Sequence, residues 1–279
     1  SVSNLLHGFY CNDTFEPFRI LAKNISDFPE LNQRQRGWSF LIGALSHYAV
    51  DITFHPMIFY HTGRYSTGNK EQMESGRFAH RTFEVALDNY FTRNFLVENE
   101  LKDLILNYKN SYADASIVVN LINSNEFQSY ISRHLNDLQN VSGKQNILYF
   151  KYILSLIRSP KASYILNSFS KYTGLMHSWS ALLYKCDIPQ YDELFNGVIS
   201  YKNSITGELF EHTVDELRNS AIEETNCLFN ELELCLDGNY RLTKSFLENK
   251  IGMNLNFNLA QINEHDAKFF AESIINQLT

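Results

Sequence analysis

Proline and glycine are scarce in this chain: 279 residues contain 5 Pro and 12 Gly. Few segments therefore carry the residues that most often interrupt a helix. Cysteine is scarcer still. Cys11, Cys186, Cys227 and Cys235 are the full set, and none forms a Cys-x-x-Cys pair. That excludes a thiolate zinc knuckle and a disulfide scaffold, and leaves free, mostly buried thiols as the expectation. Cys227 and Cys235 fall on one expected helix, too far apart along its axis to bridge. No run of Lys or Arg is long enough to track phosphates, and the net charge is −7 with an isoelectric point near 5.7. Non-specific binding to duplex nucleic acid and electrostatic docking on an anionic membrane are both disfavoured. The longest apolar stretch, Trp38 to Phe54, is interrupted by His47 and Asp51 and is too short and polar for a membrane span. No leader is visible at Ser1, so the expectation is a soluble chain, cytoplasmic or exported with its signal already removed. Repeats, low-complexity tracts and linkers are missing too, which predicts one domain over 1–279 with 237–279 less well defined.

What the chain does have is apolar surface. Its hydrophobic fraction is 44% and its aromatic fraction 14%, carried by 21 Phe and 16 Tyr, enough for a sizeable aromatic core. Helical periodicity recurs along most of the sequence. Trp38–Phe54 is apolar nearly all round and predicts a buried helix. Gly76–Phe95 places Ala79, Phe83, Ala86, Leu87 and Tyr90 at helical spacing. Further helices are predicted over about 98–109, 113–123, 126–139, 145–158, 161–186 and 214–236. Ser159-Pro160 reads as a break between two of them. A small hairpin or ordered loop is expected near 198–210, followed by Thr213 as an N-cap with Glu216 as its capping-box partner. The fold class is therefore all-α.

Chemistry concentrates in two helical pairs. His47-x-x-x-Asp51 is extended by His55, and His80-x-x-x-Glu84 is extended by Asp88. Residues four apart share one helix face, with Cβ atoms about 5–6 Å apart. An imidazole and a carboxylate so placed can converge on one cation, zinc above all, or iron or manganese. Leu45, Tyr48, Ala49, Val50, Ile52 and Phe54 surround the first pair. An ionised Asp among them is unfavourable unless compensated, and a divalent cation would compensate it. Pro56 predicts a helix end near His55, which would free His55 to reach the second helix. A lone buried His is more often a hydrogen-bonded core residue than a ligand; two pairs with a further His shift the balance toward metal. His61 reads as an exposed turn residue, with a lesser role near the metal beside Asp88. His134, His177, His212 and His265 stand alone and are expected to be structural. No Gly-rich phosphate loop and no Gly-x-Ser-x-Gly elbow is present.

The segment Gly43-Ala44-Leu45-Ser46-His47-Tyr48-Ala49-Val50-Asp51-Ile52-Thr53-Phe54-His55-Pro56 resembles the bacterial zinc-dependent phospholipase C family. So does Ala79-His80-Arg81-Thr82-Phe83-Glu84-Val85-Ala86-Leu87-Asp88. Leu5 to Asp13 is similar to the family segment that ends in a metal-binding Asp, and Ser204–Glu208 with the helix after it is similar to the last loop and helix. The resemblance implies a multi-helix bundle of the phospholipase C and P1-nuclease type around a zinc cluster. It implies that His47 and Asp51 bind one metal, shared with Asp13, while His55, His80 and Glu84 bind another. The chain departs from the family in having no His within Thr14–Ser46 and no counterpart of the family's N-terminal ligand segment. One or two zinc ions, or another divalent metal, are therefore expected rather than three. His7 could supply a substitute ligand, though its flanks favour a structural role.

The activity so implied is metal-dependent phosphodiester hydrolysis. A metal-bound hydroxide would attack a phospholipid on the glycerol side of its phosphate, with Asp13 and Asp51 as the catalytic carboxylates. Tyr or Phe side chains could line a headgroup or acyl pocket. Two alternatives stand beside it: a non-catalytic relative whose metal is structural, and a P1-like nuclease or small phosphoesterase.

Overall fold

The structure, a computed structural model, describes residues 5–9, 11–63, 70–95, 112–134 and 189–271. The expected helices over 98–109, 145–158 and 161–186 lie outside these residues, as does Cys186. Among the described residues the architecture is helical with two short hairpins. The helices are α1 (Glu16–Ser26), α2 (Leu31–Thr62), α3 (Lys70–Phe95), α4 (Tyr112–Ile122), α5 (Asn125–His134), α6 (Pro189–Phe195) and α7 (Val214–Glu233). Strands β1 (Ile199–Lys202) and β2 (Leu209–His212) pair antiparallel, as do β3 (Met253–Asn254) and β4 (Leu259–Ala260). The all-α expectation holds.

The chain divides into two compact units. The first comprises Ser1–His55, Ser111–Gln145 and Asp215–Asp266. Its core joins Leu21, Ala22 and Ile25 of α1 with Trp38, Leu41, Leu45 and Ala49 of α2, and with Phe127, Tyr130 and Leu228 from the later segments. The stretch after Asp237 has little periodicity because it is built from turns: Tyr240, Leu247, Asn249, Asn258 and Gln261 all adopt positive φ. It is nonetheless anchored. Trp38 donates its indole N–H to the Tyr240 carbonyl at 2.9 Å. Buried Arg34 donates to the carbonyls of Phe28, Pro29 and Asn239, so its charge is spread over three acceptors. Phe246, Leu247, Leu255 and Phe257 are buried in the same stretch.

The second unit comprises Pro56–Asn110, Asn146–Val214 and Ala267–Thr279. Phe83 of α3 meets Tyr191 and Phe195 of α6 edge-on at 5.2 and 5.4 Å, and Tyr90 meets Phe195 at 5.5 Å, distances typical of favourable aromatic pairs. The β1–β2 hairpin runs in the register Ile199↔His212 to Lys202↔Leu209, and Gly207 turns it at φ +76. α7 begins at Val214, directly after Thr213.

One helix boundary differs from expectation. α2 does not end near His55 but runs through Pro56 to Thr62. Proline deprives the Ile52 carbonyl of its helical partner and costs about 3 kcal/mol in a helix interior. Phe54, Met57, Ile58 and Phe59 flank it, each no more than 3% exposed. Burying side chains of that size contributes roughly 1.5–3 kcal/mol each, which outweighs the break. The same continuation makes His61 a buried helical residue, 8% exposed, instead of an exposed turn residue. The thiols differ as well: Cys235 is buried, whereas Cys11 and Cys227 are exposed, because Cys227 lies on the outer side of an amphipathic helix.

Candidate metal centre

In the first unit, helical spacing aligns three side chains along α2. His47 Nε2 lies 3.3 Å from Asp51 Oδ2, and His55 Nε2 lies 3.7 Å from Asp51 Oδ1. His7 joins them from the segment before α1, its Nε2 4.0 Å from the same Asp51 Oδ2. One donor atom each from His7, His47 and Asp51 lie within 4.8 Å of one another. His47 is exposed, whereas Asp51 and His55 are buried at 5% exposure each. Asp51 Oδ2 is enclosed and has no hydrogen-bond partner among the described residues. A buried carboxylate oxygen in that state is unfavourable by several kcal/mol unless a cation compensates it. The residues here fit a divalent ion: a hard oxygen and imidazole nitrogens are zinc's usual donors outside thiolate sites.

In the second unit, His80 Nε2 lies 3.2 Å from Glu84 Oε1 one turn along α3. His80 is buried, with the Phe59 ring edge-on at 6.3 Å, while the Glu84 side chain is 40% exposed. One turn further, Asp88 is exposed at its surface. Enough protein crowds its carboxyl that desolvation, then the Glu84 charge, raises it to about 6. His61 stacks on Phe83 at 6.1 Å. Its burial lowers the imidazole to about 4, weakly opposed by the Ser200 backbone, so it is neutral at pH 7.

Asp13 is engaged elsewhere in the first unit. It is ion-paired with Arg19, and its Oδ1 accepts the N–H groups of Phe15 at 2.9 Å and Gly252 at 2.7 Å. It thus organises the start of α1, whose N-terminal residue Phe15 has no side-chain cap of its own. Gly252 is required there: a Cβ would come within 2.2 Å of Thr14 Oγ1 and 2.5 Å of the Phe15 nitrogen. The group around Asp51 does not include Asp13.

A cavity of about 470 Å³ opens in the first unit, lined by Phe15, Tyr48, Ile52, Glu224, Leu228 and Lys250 among others. Tyr48 and Ile52 are the immediate neighbours of His47 and Asp51 in sequence, on the adjoining face of α2. Burial pushes the Tyr48 hydroxyl up to about 12, against the opposing hydrogen bond from the Met253 backbone.

His7 was the residue least legible in advance. Its distance of about forty positions from His47 gives no periodic signal, and only the tertiary structure brings the two together.

Buried carboxylate and imidazoles on adjacent helical turns define a helical metal-binding protein. The chain belongs to the zinc dependent phospholipase C family, whose model matches residues 1–143. No curated protein and no solved structure matches it. Among the described residues, no helix is long and apolar enough to cross a membrane.

Proposed function

We propose that this protein is a zinc-dependent hydrolase of phosphodiesters whose substrate is a phospholipid. The observation that carries the reading is the enclosed Asp51 carboxylate, without a hydrogen bond at Oδ2, set among histidines in a chain of this family. When bound, zinc supplies Lewis-acid activation of water and neutralises charge on the phosphoryl oxygens. His47 and Asp51 hold one ion. His55, His80 and Glu84 are assigned to a second, following the resemblance of their two sequence motifs to the family. Asp51 anchors its ion and, being enclosed, keeps bulk water from its inner oxygen. Asp13 serves as ligand or base only by exchanging Arg19 for the ion, since Arg19 and two backbone N–H groups now occupy its oxygens.

The cavity beside Tyr48 and Ile52 supports a lipid over a nucleic acid. Its walls join aromatic and aliphatic side chains with the Glu224 carboxylate, which suits an amphiphile carrying a cationic group. A nucleotide strand would instead find an acidic chain of net charge −7.

The test measures zinc content and hydrolysis together. Metal-loaded protein should release diglyceride from phosphatidylcholine vesicles, lose that activity in chelator and regain it with zinc. Activity on single-stranded DNA or RNA with none on phosphatidylcholine would move the protein to the nuclease branch. A folded, zinc-loaded sample inert toward phospholipid, nucleic acid and p-nitrophenyl phosphodiesters would make the metal structural.

A further inference from the structure

We propose that His7 is a metal ligand, completing with His47 and Asp51 a three-residue zinc site within the first unit. The inference deepens the zinc reading above and rests on it. Its first support is convergence. Two imidazole nitrogens, from segments far apart in sequence, address one carboxylate oxygen, at 3.3 Å from His47 and 4.0 Å from His7. The longer separation is beyond a hydrogen bond. Yet all three donor atoms fall within 4.8 Å of one another, and ligands of one tetrahedral zinc at about 2.0–2.1 Å stand roughly 3.4 Å apart. Adjustments of about an ångström bring the set onto one ion. Three protein ligands leave the fourth position of a tetrahedral zinc to water or substrate, the pattern of a catalytic site.

The second support is how firmly the backbone at His7 is held. The Leu255 N–H donates to the His7 carbonyl at 3.0 Å. Asn254 Nδ2 donates to the Gly8 carbonyl at 3.0 Å. Beneath them, buried Glu264 accepts from Asn256 Nδ2 at 2.7 Å and Asn254 Nδ2 at 3.5 Å. Asn254, Asn256 and Glu264 are each no more than 3% exposed. Gly8 adopts φ +81, and a Cβ there would sit 3.0 Å from the Asn254 Cα, so this close approach depends on glycine. The clamp also fixes the other face of the ligand: the His7 and His55 rings lie 5.7 Å apart. Metal ligands are commonly fixed by just such hydrogen-bonded backing. The residues that supply it, 254–264, lie outside the part of the chain matched by the family model. This chain therefore brings its own support for a ligand that no helical motif announces.

The experiment uses the full chain stripped of metal, titrated with Zn²⁺ against a chromophoric competitor and with Co²⁺ followed by its visible absorption. Wild type and His47→Ala define the site: the substitution should abolish one tight zinc equivalent. His7→Gln should then weaken that same equivalent by more than about 100-fold, beyond what an outer hydrogen-bond partner accounts for, and alter the Co²⁺ spectrum. His7→Asp, which restores a ligating atom, should recover most of the affinity. If His7→Gln binds as wild type while His47→Ala does not, His7 is no ligand and the zinc reading stands. If wild type takes up no zinc, the zinc reading itself falls and this proposal with it. Circular dichroism of the metal-free variants checks folding; equal loss in Gln and Asp variants that are both folded also overturns the ligand role.

Discussion

The His-x-x-x-Asp pair of α2 and the His-x-x-x-Glu pair of α3 share a spacing and occupy opposite environments. In the first, the carboxylate is buried at 5% exposure and the leading histidine is open. In the second, the histidine is buried and the Glu84 side chain is 40% exposed. Water already solvates Glu84, so an ion there adds binding but relieves no burial. Asp51 has no such recourse. A carboxylate that water cannot reach makes a cation part of the stability of the fold, whereas a half-exposed one makes it a ligand that comes and goes. Identical motifs can thus mark sites with different dependence on metal.

The sharpest way to break this comparison is Asp51→Asn. It should lower zinc affinity at its site by at least about 100-fold, while the metal-free variant becomes more stable than metal-free wild type by about 1–3 kcal/mol, because a buried charge is removed. Metal analysis and thermal melts in chelator check both halves; a metal-free variant less stable than wild type would show that the carboxylate is compensated by protein alone.

Next in size is an effect of acid on the second unit. Unfolded His61 takes up a proton below its ordinary 6.5, but the folded one waits until about 4. Its contribution is intact above pH 6.5 and is lost as pH falls toward 4, on the order of 3 kcal/mol across that window. His61→Phe should flatten this part of the pH dependence in urea unfolding, and an unchanged slope would assign acid sensitivity to other groups.

Asp13→Ala should cost about 2 kcal/mol in stability, since it strips acceptors from Arg19 and two amides. A large loss of zinc with little loss of stability would instead make Asp13 a ligand. The smallest effect is expected at Glu84→Ala: one zinc equivalent and the activity lost, with stability within about 1 kcal/mol of wild type, as befits a half-exposed pair. A larger destabilisation would erase the contrast with Asp51.

Much of this site was legible from spacing alone. His47, Asp51, His80 and Glu84 stand out because helical period and apolar flanks are local properties, and the all-α class follows from the same periodicity. Two features were hidden for physical reasons. The passage of α2 through Pro56 depends on tertiary burial exceeding a local penalty, which no window of sequence can weigh, and the burial of His61 follows from it. The 237–266 stretch is ordered by side-chain and backbone hydrogen bonds at turns, among them Trp38 to Tyr240 and Asn254 to Gly8, and these leave no period to read. His7 belongs to the same category, because its neighbours come from elsewhere in the chain.

The first unit is assembled from three separate stretches, and that has a consequence in time. Ser1–His55 and Asp215–Asp266 belong together, yet at about 5–20 residues per second a ribosome needs on the order of 10–30 s to pass from one to the other. During that interval Gly8, Asp13 and Trp38 have been made but lack Asn254, Gly252 and Tyr240. A nascent chain halted before residue 215 should remain open to protease at its first fifty residues and close only when the last stretch emerges.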